Sequence, residues 1–194
     1  MKKRIVILIL IIIIIGVGKY VYDVNINYNF KSITKDKVYK SGVIPPDELE
    51  DYIKKYNIKS VVDLRYPGTD DIVNNPEIPE ELTAEKEAIE KIPNVNYFNV
   101  GSEQVPDQNT LDNFFEVMDD STNYPVLIHC YHGEGRAPLF SSIYRIEYEG
   151  MSNEEARKKT RLLLKWSSFD DGKPKGDFLK NYKPRKELKK NIEE

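Results

Sequence analysis

Residues 125–138, PVLIHCYHGEGRAP, pass from an apolar, β-branched stretch into a glycine-punctuated turn and then a helical pattern. So short a handover predicts a buried strand, a tight loop and a helix, the repeating unit of an α/β sheet. The same alternation runs upstream. Lys37 to Val43 reads as a short strand, and Pro45-Pro46-Asp47 opens a helix to about Tyr56, since proline costs least in a first helical turn. Ile58 to Leu64 is a second buried strand. Leu82 to Ile92 follows as a helix, Val95 to Val100 as a strand, and Leu111, Phe114, Phe115 and Met118 recur at helical spacing. Helices are expected near Pro138–Glu149 and Asn153–Trp166, and loops at Pro67–Pro79 and Gly101–Gln108. The fold class is therefore α/β: a single domain with a central, largely parallel sheet flanked by helices. The ligand crevice of such a sheet lies beyond the carboxyl ends of its strands.

Ahead of this domain, Lys-Lys-Arg precedes an almost pure Ile and Leu run from Ile5 to Gly18. That run spans about 21 Å as a helix, and about 27 Å if Lys19 snorkels and the span extends to Tyr22. It reads as an N-terminal signal anchor, with Tyr20 and Tyr22 at the interface. Gly16-Val17-Gly18 offers only a weak cleavage site, and cleavage there would make the protein secreted. By the positive-inside rule the basic start stays cytoplasmic and the rest is extracytoplasmic. The expected organisation is a membrane segment over 1–24, a spacer over 25–36, a catalytic domain over 37–172 and a basic tail over 173–194. Phe178, Leu179 and Tyr182 suggest that part of the tail packs down.

The chemistry concentrates at one place. The single Cys and both His residues of the chain, Cys130, His129 and His132, fall within four positions after the buried strand. A lone Cys excludes an intrachain disulfide framework. A metal site from these three residues would lack further N or S ligands. The backbone N–H groups from Tyr131 through His132, Gly133, Glu134 and Gly135 can converge on one centre at a helix N-terminus, which binds a phosphate. Such donors favour a thiolate over a thiol. Arg136 adds a planar fork for two phosphate oxygens, and Cys130 can attack phosphorus. His129 reads as a buried hydrogen-bonding residue that orients the loop.

His129-Cys130, five residues and Arg136 resemble the H-C-x5-R signature of the cysteine-based protein tyrosine phosphatase superfamily. VYKSGVIPPDELEDYIKKYNIKSVVDLR resembles the opening of its compact dual-specificity-like, atypical branch, and YRIEYEGMSNEEARKKT the two helices after the phosphate loop. The resemblance covers about Val38 to Trp166. It implies hydrolysis of phosphomonoesters through a phosphocysteine intermediate, with Cys130 as nucleophile, Arg136 and the 131–135 backbone holding phosphate, and no cofactor or metal.

Two departures stand out. The family usually carries Ser or Thr after the Arg, where the hydroxyl helps expel the thiolate; this chain has Ala137, as regenerating-liver phosphatases do. Slow turnover, or a phosphate-binding or phosphoprotein-binding module, is the alternative this opens. The family's general acid is an Asp about 25 to 35 residues before the Cys; here that region holds Glu103 and Asp107, and Asp107 also suits a helix N-cap. Either one, or neither, is the acid. Glu134 is unusual in a phosphate loop and is expected to face solvent or a basic partner.

The net charge of -3 conceals a division: Tyr20 to Ala156 carries -14 and Arg157 to Lys190 carries +9. This is no nucleic-acid-binding profile. The acidic body and the variable loop residues Tyr131, His132 and Glu134 favour phosphotyrosine or phosphoserine/threonine, in a protein or small phosphomonoester, over inositol phosphates or phosphoinositides. The basic segment reads as a solvated helix face, a contact for anionic headgroups, or a contact for the protein's own acidic body.

Overall fold

The computed structural model describes residues 2–66 and 78–187, with side chains from Arg4 onward. The expected loop at Pro67–Pro79 lies almost wholly outside these residues. The chain order is α1 (Lys2–Asn25), β1 (Lys31–Thr34), β2 (Val38–Ser41), α2 (Pro46–Tyr56), β3 (Ser60–Asp63), α3 (Pro79–Glu90) and β4 (Asn96–Asn99). It continues with α4 (Gln108–Asp119), β5 (Val126–His129), α5 (Arg136–Glu149), α6 (Asn153–Lys158) and α7 (Pro174–Asn181).

The five strands form one sheet in the order β1-β2-β5-β3-β4. β5 lies parallel to β2 and β3, β4 lies parallel to β3, and only the edge strand β1 runs antiparallel. The sheet is thus mixed, with a parallel centre. β1 falls inside the expected spacer. Its sequence, KSIT, has two exposed residues and only Ile33 packed toward the core, so its polarity hides an edge strand.

Alternation along the central strands sends residues to two cores. Val38, Val62, Val126 and Ile128 pack with Phe114, Phe140 and Ile143 from α4 and α5. Tyr39, Val61 and Leu127 pack on the other face with Leu49 and Ile53 from α2 and Ile89 from α3. Each such side chain stabilises the fold by about 1.5–3 kcal/mol when fully buried, against about 0–1 kcal/mol for an exposed ion pair. The sheet core therefore sets the positions of the loops above it.

The helix expected over Asn153–Trp166 stops at Lys158. A capping box between Ser152 and Glu155 starts it. At the other end Thr160 Oγ1 donates to the Arg157 carbonyl (2.7 Å), and Arg157 Nη1 donates to the Phe169 carbonyl (2.8 Å). Phe169 is buried, so the chain must turn back rather than continue helically. Trp166 adopts a left-handed φ of 66° at this turn, its N–H bonded to Asp170 Oδ2 at 2.7 Å. The segment beyond 173 forms α7, whose Leu179 is buried, with Phe178 and Tyr182 packed alongside. Arg185 then closes onto the acidic body, bonded to Asp119 and Glu147 and stacked 4.0 Å from the Phe115 ring centre.

α1 is long and apolar enough to cross a membrane, and its apolar 18-residue window is unburied by the rest of the protein. At 1.5 Å per residue its length is about 36 Å, comparable to a hydrocarbon core.

Candidate active site

Cys130 follows the last residue of β5, and α5 begins at Arg136, so the intervening loop caps the carboxyl end of the central strand. Its shape is held by groups from distant segments. The Tyr131 carbonyl accepts from the Val43 N–H (2.9 Å), that of His132 from Asn29 Nδ2 (2.8 Å), and that of Gly133 from Lys40 Nζ (2.8 Å). The Glu134 carbonyl accepts from Arg161. In a trans peptide the next N–H points opposite to the carbonyl. Bonds from Val43 and Lys40, neither of which lines the hollow that holds Cys130, turn the N–H groups of His132 and Glu134 toward it, whereas Asn29 and Arg161 line that hollow themselves.

The close packing that permits this requires a glycine. Gly133 has φ of 69°, and a Cβ there would lie 2.4 Å from the Gly42 nitrogen.

Cys130 and Arg136 are 3 % and 2 % exposed and line a depression of about 290 Å³. Arg136 Nη1 donates to the carbonyls of Leu64 (2.9 Å) and Ser102 (3.2 Å), at the ends of the neighbouring strand segments. These two bonds orient the guanidinium. The N-terminus of the 14-residue α5 adds positive potential at the same point.

The depression brings together Cys130, His132, Glu134, Gly135 and Arg136. The Tyr131 side chain instead lines a separate hollow with Val43 and Glu85, leaving its backbone to the loop. The Glu134 carboxylate lies 3.3 Å from Arg161 Nη2, so its charge is paired at the rim. Glu103 and Asp107 line a different depression, with Tyr66 and Asn99. Asp107 accepts from the Thr110 N–H at 2.8 Å and caps α4, and that hydrogen bond holds its carboxyl below the usual range. A carboxylate held ionised is poorly suited to deliver a proton.

His129 lies beneath the loop in a buried charge cluster. Its Nε2 sits 2.9 Å from Glu85 Oε1 and 3.6 Å from Asp63 Oδ1. Arg65, fully buried, clasps both Asp63 oxygens and also bonds Glu85, while Tyr97 donates to Asp63 Oδ2 at 2.8 Å. Burial pulls the His129 pKa down, but Glu85 and Asp63 outweigh it and the imidazole is raised above its ordinary value. For Asp63 burial acts upward, and His129 and Arg65 overcome it, so its carboxyl is lowered. Asp63, Glu85 and His129 offer atoms within 4.8 Å of one another, as a metal site would. The Arg65 guanidinium already supplies the cation there, so the residues fit a salt-bridged support better than a metal centre.

Several site residues escape sequence reasoning. Gln104, Arg161 and Lys175 line the depression, and Lys175 reaches Gln104 across its rim. Lys40 beneath the loop is buried, which brings its pKa down to about 8, with Lys31 and Arg161 adding to the shift. Arg161 and Lys175 belong to the basic segment, where nothing in the spacing distinguishes them from solvated lysines. Tyr20 and Val24, from the end of α1, also line the depression.

An α/β sheet of this order, with Cys130 and Arg136 at the two ends of a loop beyond its central strand, matches the architecture of cysteine-based phosphatases of the atypical, dual-specificity-like branch. A family model described as a DSP-PTPase phosphatase fused to NAD+ kinase matches residues 19–172, and the chain belongs to that family. No curated protein sequence matches it significantly. Among solved structures, the core catalytic domain of the PP-IP phosphatase SIW14 from S. cerevisiae, in complex with citrate, is 17 % identical. It covers 85 % of this chain and 91 % of its own, at a TM-score of 0.59. TpbA of P. aeruginosa is 16 % identical over 81 % of this chain and 86 % of its own, TM-score 0.57. A mutant form of Tk-PTP is 20 % identical over 84 % and 96 %, TM-score 0.57. These likenesses establish the shared fold.

Proposed function

We propose that this protein is a membrane-anchored, extracytoplasmic phosphatase that hydrolyses phosphomonoesters, phosphotyrosine foremost and phosphoserine/threonine second, through a phosphocysteine. The observation that carries the reading is a loop whose four carbonyls are all taken by groups from distant segments, with buried Cys130 before it and buried Arg136 at its end. Cys130 Sγ attacks phosphorus as the P–O bond to the leaving group breaks, and the equatorial oxygens rest on the loop N–H groups and Arg136. Glu103, exposed and next in sequence to Gln104 of the pocket, protonates the leaving oxygen. Water then attacks phosphorus, Glu103 takes its proton and the S–P bond breaks. A TpbA structure with bound pTyr, 17 % identical to this chain, is consistent with such a substrate in this fold.

Full-length protein should release phosphate from an aryl phosphate, and Cys130→Ser should abolish release. Equal rates in both would sink the mechanism. Ala137→Ser should raise the steady-state rate and shrink any initial burst if phosphocysteine hydrolysis limits turnover; a burst with no later turnover in the wild type would favour the phosphoprotein-binding alternative. Arg161 and Lys175 at the rim favour a second reading, a substrate bearing additional phosphates such as an inositol phosphate or phosphoinositide. Rates on phosphopeptides against inositol phosphates decide between the two.

A further inference from the structure

The turn after α6 has a composition that a water-facing loop does not need. Leu162 is 107 % exposed, Leu163 63 % and Trp166 81 %, while Arg161 and Lys165 flank them. Lys165 Nζ lies 5.0 Å over the Trp166 ring. Three large apolar side chains held out by a folded turn form a patch rather than a stray exposed residue. The acids of this region already have partners: half-buried Asp170 accepts from the Trp166 N–H, and exposed Asp171 pairs with Arg157 and Lys180. The outward face is therefore apolar and basic.

Its position identifies what covers it. Arg161 and Ser168, the two roots of this loop, line the same depression as Tyr20 and Val24 at the end of α1. The loop thus lies beside the point where the apolar helix leaves its hydrophobic stretch. Leu and Trp with Lys and Arg is also the composition that partitions into a headgroup layer, with tryptophan at the interface and the cations on anionic lipid.

We propose that residues 161–166 and the end of α1 form one docking surface that seats the domain on the anionic phospholipid bilayer crossed by α1, with the mouth of the Cys130 pocket at the lipid–water interface. The inference rests on the reading of α1 as a membrane span, and the experiment separates the two. Trp166 is the only tryptophan, so its fluorescence reports on this loop alone. Full-length protein is reconstituted into phosphatidylcholine vesicles containing phosphatidylglycerol. Flotation and resistance to alkaline extraction report the span; quenching of Trp166 by acyl-brominated lipid, against quenching by acrylamide from water, reports docking. The expected result is stable incorporation with a blue-shifted Trp166 that brominated lipid quenches and acrylamide barely reaches. Leu162→Glu/Leu163→Glu should lose the lipid quenching while hydrolysing a soluble aryl phosphate within about twofold of wild type, as exposed positions allow. Stable incorporation with Trp166 open to acrylamide overturns docking and leaves the span standing. A blue shift insensitive to brominated lipid assigns the patch to a second copy and also overturns it. Failure to incorporate removes the span, and docking with it.

Discussion

Asp107 illustrates how one side chain can serve two plausible ends. Its position before α4 suits both a proton donor and a cap, and the hydrogen bond from Thr110 N–H places it in the second role. Asp107→Ala should therefore lower stability by about 1 kcal/mol, the usual worth of an N-cap, while leaving kcat nearly unchanged. Glu103→Gln should lower kcat by about 10²-fold or more on a poor leaving group and far less on an activated aryl phosphate, the pattern of a lost general acid. Chemical denaturation and paired kinetics check both; a large kcat loss in Asp107→Ala would reverse the assignment. The pairing of Cys130 with Arg136 was legible in the sequence because both fall within one continuous strand–loop–helix segment. Lys40, Arg161 and Lys175 were not legible. Each reaches the loop from a distant segment, and spacing carries no record of such contacts.

At the level of elements, the strand–loop–helix from Val126 to Glu149 and the buried strands β2 and β3 follow from apolar runs bounded by turn residues. The edge strand β1 and the early end of α6 depend instead on tertiary partners, the sheet edge for one and buried Phe169 for the other. The row across the ends of β5 and β3 also carries a pH signature. His129, raised above the ordinary 6.5, contributes stability that is fully present below that value and lost as pH rises through its folded pKa. Asp63, lowered below 3.8, contributes stability present above that value and lost as pH falls through its folded pKa. Thermal unfolding should show a plateau between, and His129→Asn should cost about 3–5 kcal/mol on it and remove the part of the alkaline decline due to His129. An alkaline limb identical in wild type and variant would show that the imidazole is not held charged.

For the whole molecule, the charge division takes on a structural meaning. The described part of the basic segment, through residue 187, does not hang free: α7 is anchored by Leu179, Arg185 grips Asp119 and Glu147, and Lys175 and Arg161 are delivered to the pocket rim. The four groups bonded to the 131–134 carbonyls, Val43, Asn29, Lys40 and Arg161, come from both ends of the domain, so the proposed anion site forms only with the complete tertiary structure. Folding and anion occupancy are then linked by mass action. An oxyanion such as vanadate or phosphate, present at about 100 times its dissociation constant, should add about 2.7 kcal/mol to the stability of Cys130→Ser and raise its melting temperature. The same shift, measured across phosphorylated compounds with an inert variant, would rank natural ligands by affinity without requiring any of them to be turned over.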